Sequence, residues 1–409
     1  MDFKQKLESY ADLAVRVGLN VQKGQYVLIN TSTDTLEFTR MVVKKAYEAG
    51  ASRVEVNFSD ESITRAFYEH APEEEFDRFP RWIVEQRNEM IDRNGALLWI
   101  DSEDPDLLEG ITPSKIARYQ KVAGKALERY RNAVTNDKIA WSIIAVPSKN
   151  WAKKVFPNIP EDKQVEALWE AIFKTVRIGE GDAVENWKQH LSNLEKRARM
   201  LNEKRFKKLH YKAPGTDLTI ELPENHLWLT GASRTPQGIP FIANMPTEEV
   251  YTAPLKTGVN GYVSNTKPLV YQGNVIDGFT LTFENGKIVK AVAKKGEDLL
   301  NQLLESDEGS RFLGEVALVP HESPISSSNI LFFNTLFDEN ASNHLAIGEA
   351  YPTAIEGGTD LDDKGLEEAG LNVSIVHEDF MIGSADMDID GILPDGTTEP
   401  IFRKGNWAF

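Results

Sequence analysis

The order of apolar and polar positions divides the chain into two parts of different character. In residues 3–17 the apolar side chains Phe3, Leu7, Tyr10, Ala14 and Val17 recur with the period of one helix face. Residues 25–30 (Gln-Tyr-Val-Leu-Ile-Asn) form an apolar run too short for a helix and read as a strand. Residues 36–49 return to the helical pattern and stop at Gly50, the residue type that most easily takes the left-handed conformation after a helix. The rhythm continues with a strand over 52–58, a helical stretch over about 72–94 and a strand over 96–101. A helix over about 114–132 and a strand over 139–146 follow. Strands that are apolar at nearly every position, separated by helices, predict a parallel sheet covered on both faces.

Residues 161–178 and 183–209 are also predicted helices. Their basic runs, Lys196-Arg197 and Lys204-Arg205, read as solvated helix faces. Beyond about residue 210 the period changes to two. Residues 217–222 (Asp-Leu-Thr-Ile-Glu-Leu) alternate, and residues 270–276 and 279–283 are strand-like on either side of Asp277-Gly278. Asn285-Gly286 is a hairpin signal before the strand-like run 288–293. The expected fold class is α/β: a doubly wound parallel-sheet domain over 1–210, then an α+β domain over 211–409 that carries the metal chemistry described below.

Composition sharpens this picture at a few points. The chain has 409 residues, 41% hydrophobic and 27% charged, as an ordinary globular protein of two or three domains has. Its net charge of -17 argues against nonspecific nucleic-acid binding and against docking on anionic lipid. No run of 18 apolar residues occurs, so no membrane span is expected. The opening Met-Asp-Phe-Lys-Gln-Lys-Leu-Glu lacks the apolar core of a signal peptide, so a cytoplasmic protein is expected. Cysteine is absent, so disulfides and thiolate metal sites are excluded and any metal must use oxygen and nitrogen ligands.

Several catalytic signatures are missing. There is no Gly-x-x-x-x-Gly-Lys-Ser/Thr loop and no Gly-x-Gly-x-x-Gly after the first strand, so the N-terminal half is expected to scaffold or cap a site rather than bind a nucleotide cofactor. His-Glu-x-x-His and Gly-x-Ser-x-Gly are missing too, which disfavours helix-borne zinc proteases and nucleophile-elbow hydrolases. Metal-ligand side chains instead collect in the last two-fifths: Glu249, Glu315, Glu339, His344, His377 and Asp379, with Tyr351 following His344. Taken singly they are ordinary. Glu315 reads as an exposed strand end, His344 as a structural hydrogen-bonder and Tyr351 as a packing residue before Pro352. His377 and Asp379 stand two apart at the end of a strand expected over 373–376, which aims both at one side. Two imidazoles with three or four carboxylates suit a pair of divalent cations, and hence a two-metal hydrolase. The run Asp386-Met-Asp388-Ile-Asp390-Gly391 imitates the start of a calcium loop. Its twelfth position is Thr397, where a bidentate glutamate is needed, so it reads as a turn before a strand.

Longer segments now carry a resemblance. Residues 244–254 (Asn-Met-Pro-Thr-Glu-Glu-Val-Tyr-Thr-Ala-Pro), Glu315, residues 337–351 (Phe-Asp-Glu-Asn-Ala-Ser-Asn-His-Leu-Ala-Ile-Gly-Glu-Ala-Tyr), residues 376–379 (Val-His-Glu-Asp) with 381–384 (Met-Ile-Gly-Ser), and residues 400–407 (Pro-Ile-Phe-Arg-Lys-Gly-Asn-Trp) closely resemble the thermophilic-type metalloaminopeptidases of the aminopeptidase T/S, or M29, family. The resemblance implies a dinuclear site in the C-terminal domain and a homodimer whose active sites face an internal chamber. It implies Glu249, Glu315, Glu339, His344, His377 and Asp379 as ligands of two divalent ions, with Glu315 expected to bridge. Glu248 is the neighbouring alternative to Glu249, and the spacing to Glu315 favours Glu249. Zn, Co, Mn and Mg all suit such donors. The activity implied is release of the N-terminal residue from peptides with a free N-terminus by a metal-activated water. Glu249 or Glu315 then carries the proton to the leaving amine, and Tyr351 donates to the oxyanion. The competing readings are another dinuclear hydrolase, such as an amidohydrolase, and a non-catalytic metal- or peptide-binding protein. The absence of His-x-His patterns disfavours the first.

Overall fold

In the computed structural model the apolar runs of the first part pair into one parallel sheet. Its strand order is Asn244–Met245, Ala140–Ala145, Ala96–Asp101, Tyr26–Ser32, Arg53–Ser59. The structure describes residues 1–179, 181–271 and 274–409. The inner strand Tyr26–Ser32 is buried at every position, whereas the edge strand Arg53–Ser59 is half-exposed. The helical stretch expected over 72–94 is broken into the 3-10 turn Glu73–Asp77 and the helix Arg81–Asp92, each preceded by a proline, Pro72 and Pro80. Proline lacks the N–H that would continue a helix through it. Upstream lies a further helix, Glu61–His70, capped by the Asp60 side chain accepting from Ile63 N. The two-residue strand Asn244–Met245 is the one element of this sheet that comes from late in the chain.

By their contacts the residues form two units: Met1–His190 with Ala232–Pro246, and Leu191–Gly231 with Thr247–Phe409. The first division falls inside the helix Ala183–Lys204. No described helix is long and apolar enough to cross a membrane.

Among the described residues the second unit contains two large antiparallel sheets and a two-stranded one. The five-stranded one runs His377–Met381, His344–Gly348, Leu313–Leu318, Val250–Thr252, Leu229–Thr230. The eight-stranded one includes the hairpin Thr280–Glu284 to Lys287–Val292. Asn285 and Gly286 join these strands with φ of 48° and 84°, as a turn with two left-handed residues requires. The strand expected over 270–276 is the pair Leu269–Tyr271 and Asn274–Ile276; residues 272 and 273 lie outside the described residues. The Asp386–Asp390 run leads into the strand Asp388–Ile392, where Asp390 accepts from Arg403 at 2.5 Å. Side chains from both sheets share one core, with Leu209, Tyr211, Leu218 and Ile220 of the larger sheet and Val316, Leu318, Leu345, Ile347 and Phe380 of the smaller.

Candidate metal centre

Period-two alternation places the polar chemistry on one face of the five-stranded sheet. Val316, Leu318, Leu345, Ile347 and Phe380 turn into the core. Their alternates Glu315, Ala317, His344, Ala346, His377 and Asp379 therefore turn to the other face. Register completes the arrangement across three strands: Glu315 lies opposite Ala346, Ala346 opposite Asp379, and Gly348 opposite His377. The small Ala346 stands between Glu315 and Asp379, and Gly348, with φ of 104°, lets Val376 O pack where a side chain would stand.

His377 and Asp379 do not end a strand over 373–376, as the apolar run had suggested. They open the strand His377–Met381. The preceding backbone is held instead by Asp307, whose carboxylate accepts from Ser374 Oγ at 2.8 Å and Ile375 N at 2.7 Å. Backbone groups bonded to a side chain are withdrawn from a sheet ladder. Glu315, read from its neighbours as a possible exposed strand end, is buried.

The side chains converge. His344 Nε2 lies 3.2 Å from Glu249 Oε2 and 3.6 Å from Glu315 Oε1. His377 Nε2 lies 3.6 Å from Glu315 Oε2 and 3.6 Å from Asp379 Oδ2. Two groups result, Glu249–Glu315–His344 and Glu315–His377–Asp379, each with ligand atoms within 4.8 Å of one another. Glu315 belongs to both and turns one oxygen to each imidazole. Each ring is aimed from behind: His344 Nδ1 donates to Ser342 O at 3.2 Å and His377 Nδ1 to Glu349 O at 2.7 Å. A carbonyl can only accept, so Nδ1 carries a proton in either charge state and Nε2 faces the carboxylates, as a donor when the ring is protonated and as a lone pair when it is neutral.

Glu339 is in neither group. It lies buried in the 3-10 turn Glu339–Ala341, close enough for its charge to act on Asp379, Glu249 and His344. Glu248 is buried as well, with its N–H donated to Asn340 Oδ1 at 2.7 Å. The Tyr351 ring packs 4.9 Å from the His377 ring and 6.3 Å from Tyr251. Asn340 was not singled out by the sequence, although it stands beside Glu339 in the longest motif.

A family profile described as "Thermophilic metalloprotease (M29)" matches residues 3–407. The chain belongs to the thermophilic metalloprotease (M29) family. This M29 hydrolase is 55% identical over 407 residues to "Aminopeptidase AmpS" of Bacillus subtilis, covering 100% of this chain and 99% of that one. It is 48% identical over 407 residues to "Aminopeptidase 2" of Geobacillus stearothermophilus, covering 100% and 98% of the two chains. The solved structure "Wild-type AmpT from Thermus thermophilus" superimposes with a TM-score of 0.93 at 42% identity, covering 100% of both chains.

Electrostatics explain what the M29 site demands. Burial raises the Glu315 carboxyl to about 7; the His344 contact opposes this, and the Asp379 and Glu249 charges add to it. Glu339 is raised well above the carboxylate range by burial and then by Asp379 and Glu249. Burial alone would lower both imidazoles. Hydrogen bonds to Glu249 and Glu315 instead raise His344, and the charges of Asp379 and Glu315 raise His377. Packed carboxylates in a desolvated site call for positive charge, as protons or as cations. The donors are all oxygen and nitrogen, and Asp379 Oδ1 is buried without a hydrogen-bond partner. The residues fit a cation centre.

Proposed function

We propose that this metal-dependent enzyme is an aminopeptidase working with two divalent cations. Glu249, Glu315 and His344 would hold one and Glu315, His377 and Asp379 the other, so that Glu315 is common to both groups, and Glu339 would complete the set. The observation that carries this reading is Glu315, with its two oxygens directed at different imidazoles. Charge supports the number two. Four carboxylates (Glu249, Glu315, Glu339, Asp379) match two divalent ions, whereas one ion leaves two buried anions uncompensated. The donor set admits Zn, Co, Mn or Mg.

When bound, the cations supply the positive charge that favours hydroxide near neutral pH and polarises the scissile carbonyl. The protein's own groups do the rest. Glu249 or Glu315 accepts the proton of the attacking water and delivers it to the leaving nitrogen as the C–N bond breaks. Burial, then the charges of Glu315 and Asp379, raises the Tyr351 phenol well above its ordinary value, so it remains a donor at neutral pH. Its hydroxyl donates to the tetrahedral oxyanion, and packing on His377 holds the ring in place. The free amino group of the peptide would be held by the second cation or by an acidic side chain beside it, which makes the enzyme an exopeptidase. A cytoplasmic homodimer enclosing the active sites, with residues 211–409 as the catalytic domain, belongs to the same proposal.

The test is release of the N-terminal residue from short peptides and from their N-acetylated forms, with and without chelator. Cleavage of the free peptides alone, lost on metal removal, is expected. Equal cleavage of acetylated peptides contradicts the exopeptidase reading, and sedimentation of the native enzyme as a monomer contradicts the dimer.

A further inference from the structure

The carboxyl edge of the parallel sheet holds a cavity that the proposed reaction does not use. Its volume is about 730 Å³, well within the size of small-molecule sites. It stands where Tyr26–Ser32 lies between Arg53–Ser59 and Ala96–Asp101. The strand order reverses there, and open α/β sheets bind ligands in such crevices. Alternation explains the lining. Tyr26, Leu28 and Leu97 pack in the core. Further along the same face come the aligned residues Asn30, Asn57 and Trp99, and then Ser32 and Ser59 at the edge. The face thus turns from apolar to polar inside strands that are otherwise apolar.

At the floor, Arg87 of the helix Arg81–Asp92 donates Nη2 to Asn30 Oδ1 at 2.9 Å, with its guanidinium 5.2 Å from the Tyr130 ring centre. Arg87 Nε and Nη1 and Asn30 Nδ2 are buried without a hydrogen-bond partner, and Asn30 itself is only 9% exposed. Unmet buried donors are costly, and an arriving acceptor relieves that cost. At the mouth stand three carboxylates, Glu61, Asp101 and Glu103. The surrounding walls, and then the charges of Asp101, Glu61 and Asp104, raise the Glu103 carboxyl even though the residue is open to solvent. Trp82, 63% exposed, offers an apolar wall.

We propose that this cavity binds a small zwitterion of the amino-acid class, with its carboxylate toward Asn30 and Arg87, its ammonium toward Glu61, Asp101 and Glu103, and an apolar side chain against Trp82. Other ligands satisfy one end only. An anion meets the floor donors and is repelled at the mouth. A simple amine meets the acids and leaves the donors unpaired. A nucleotide lacks its usual cradle, because Ser-Thr-Asp-Thr (32–35) follows the strand in place of a glycine-rich loop. The site is independent of the metal centre and of the aminopeptidase reading.

The test is calorimetric titration of the full chain with L-phenylalanine, phenylacetate and phenethylamine, with tryptophan fluorescence as a second signal. L-phenylalanine could also bind at the metal centre, so wild type is compared with His344→Ala, or with chelator-treated wild type if that variant does not fold. Saturable binding that persists in the His344→Ala chain is expected. It should weaken at least about tenfold in Trp82→Ala and Glu103→Gln, and the two half-ligands should bind at least about tenfold more weakly than L-phenylalanine. Unchanged affinity in both cavity variants, or binding confined to chains with an intact metal centre, overturns the proposal. So does a half-ligand that binds as tightly as the zwitterion.

Discussion

Asn340 is the residue whose removal most directly tests how the candidate ligands are held. It is fully buried. Its Oδ1 accepts from Glu248 N at 2.7 Å, and its Nδ2 donates to Leu336 O at 3.1 Å and to Glu339 Oε1 at 3.2 Å. One side chain therefore fastens the backbone beside Glu249 to the carboxylate of Glu339. Asn340→Ala removes two neutral hydrogen bonds worth about 1 kcal/mol each and one to a carboxylate worth about 2 kcal/mol. The expected loss is about 4 kcal/mol of stability, before any cost of the small void. Residues that orient ligands from behind typically change metal affinity about 10–100-fold, and a loss of that size is expected here. Chemical denaturation gives the first number and calorimetric metal titration the second. If stability falls while metal affinity stays within about twofold, Asn340 is a packing residue and the tethering account fails. A loss below about 1 kcal/mol contradicts the hydrogen-bond reasoning itself.

Ala346→Val puts two methyl groups between Glu315 and Asp379, its partners on either side. It should cost about 1–3 kcal/mol in stability and lower metal occupancy with every ligand still present; full occupancy by elemental analysis contradicts the space assigned to the ions. Tyr351→Phe should lower turnover roughly 100-fold, the effect of one oxyanion donor, while metal stays bound; unchanged kcat removes Tyr351 from catalysis. The metal-free chain should lose stability as pH rises. Glu315 is raised from 4.5 to about 7 and both imidazoles are raised above 6.5, so the folded state binds these protons more tightly than the unfolded one. Their contribution is present at low pH and fades as pH rises through the folded values. Melting of chelator-treated protein between about pH 5 and 8 checks this, and Glu315→Gln should flatten the slope; the same slope in that variant is the contrary result.

Much of this was legible in the sequence because it depends on periodicity. The strand Ala96–Asp101 falls on the predicted apolar run, and Asn285-Gly286 turns where the hairpin rule puts a turn. His344-Leu-Ala-Ile-Gly348 already spells one polar and one core face. The parts that escaped have no period. Asn244–Met245 is too short to alternate and is defined by its partner Ala140–Ala145. The start of the strand at His377 depends on a distant carboxylate, Asp307, bonding the residues before it. Asn340 acts through three hydrogen bonds, of which the one from Glu248 N joins segments far apart in the chain, and nothing in its neighbours marks it as different from the polar residues around it. The convergence of Glu249 with Glu315 and His344 also needs the register of the sheet, which one chain's pattern does not give.

The central claim is a pair of cations sharing Glu315. Its most direct test is stepwise return of metal to the chelator-treated chain while release of the N-terminal residue from a short peptide is followed. Two ions per chain are predicted, with activity appearing as the second ion binds. Full activity at one ion per chain, or activity that survives complete metal removal, contradicts it.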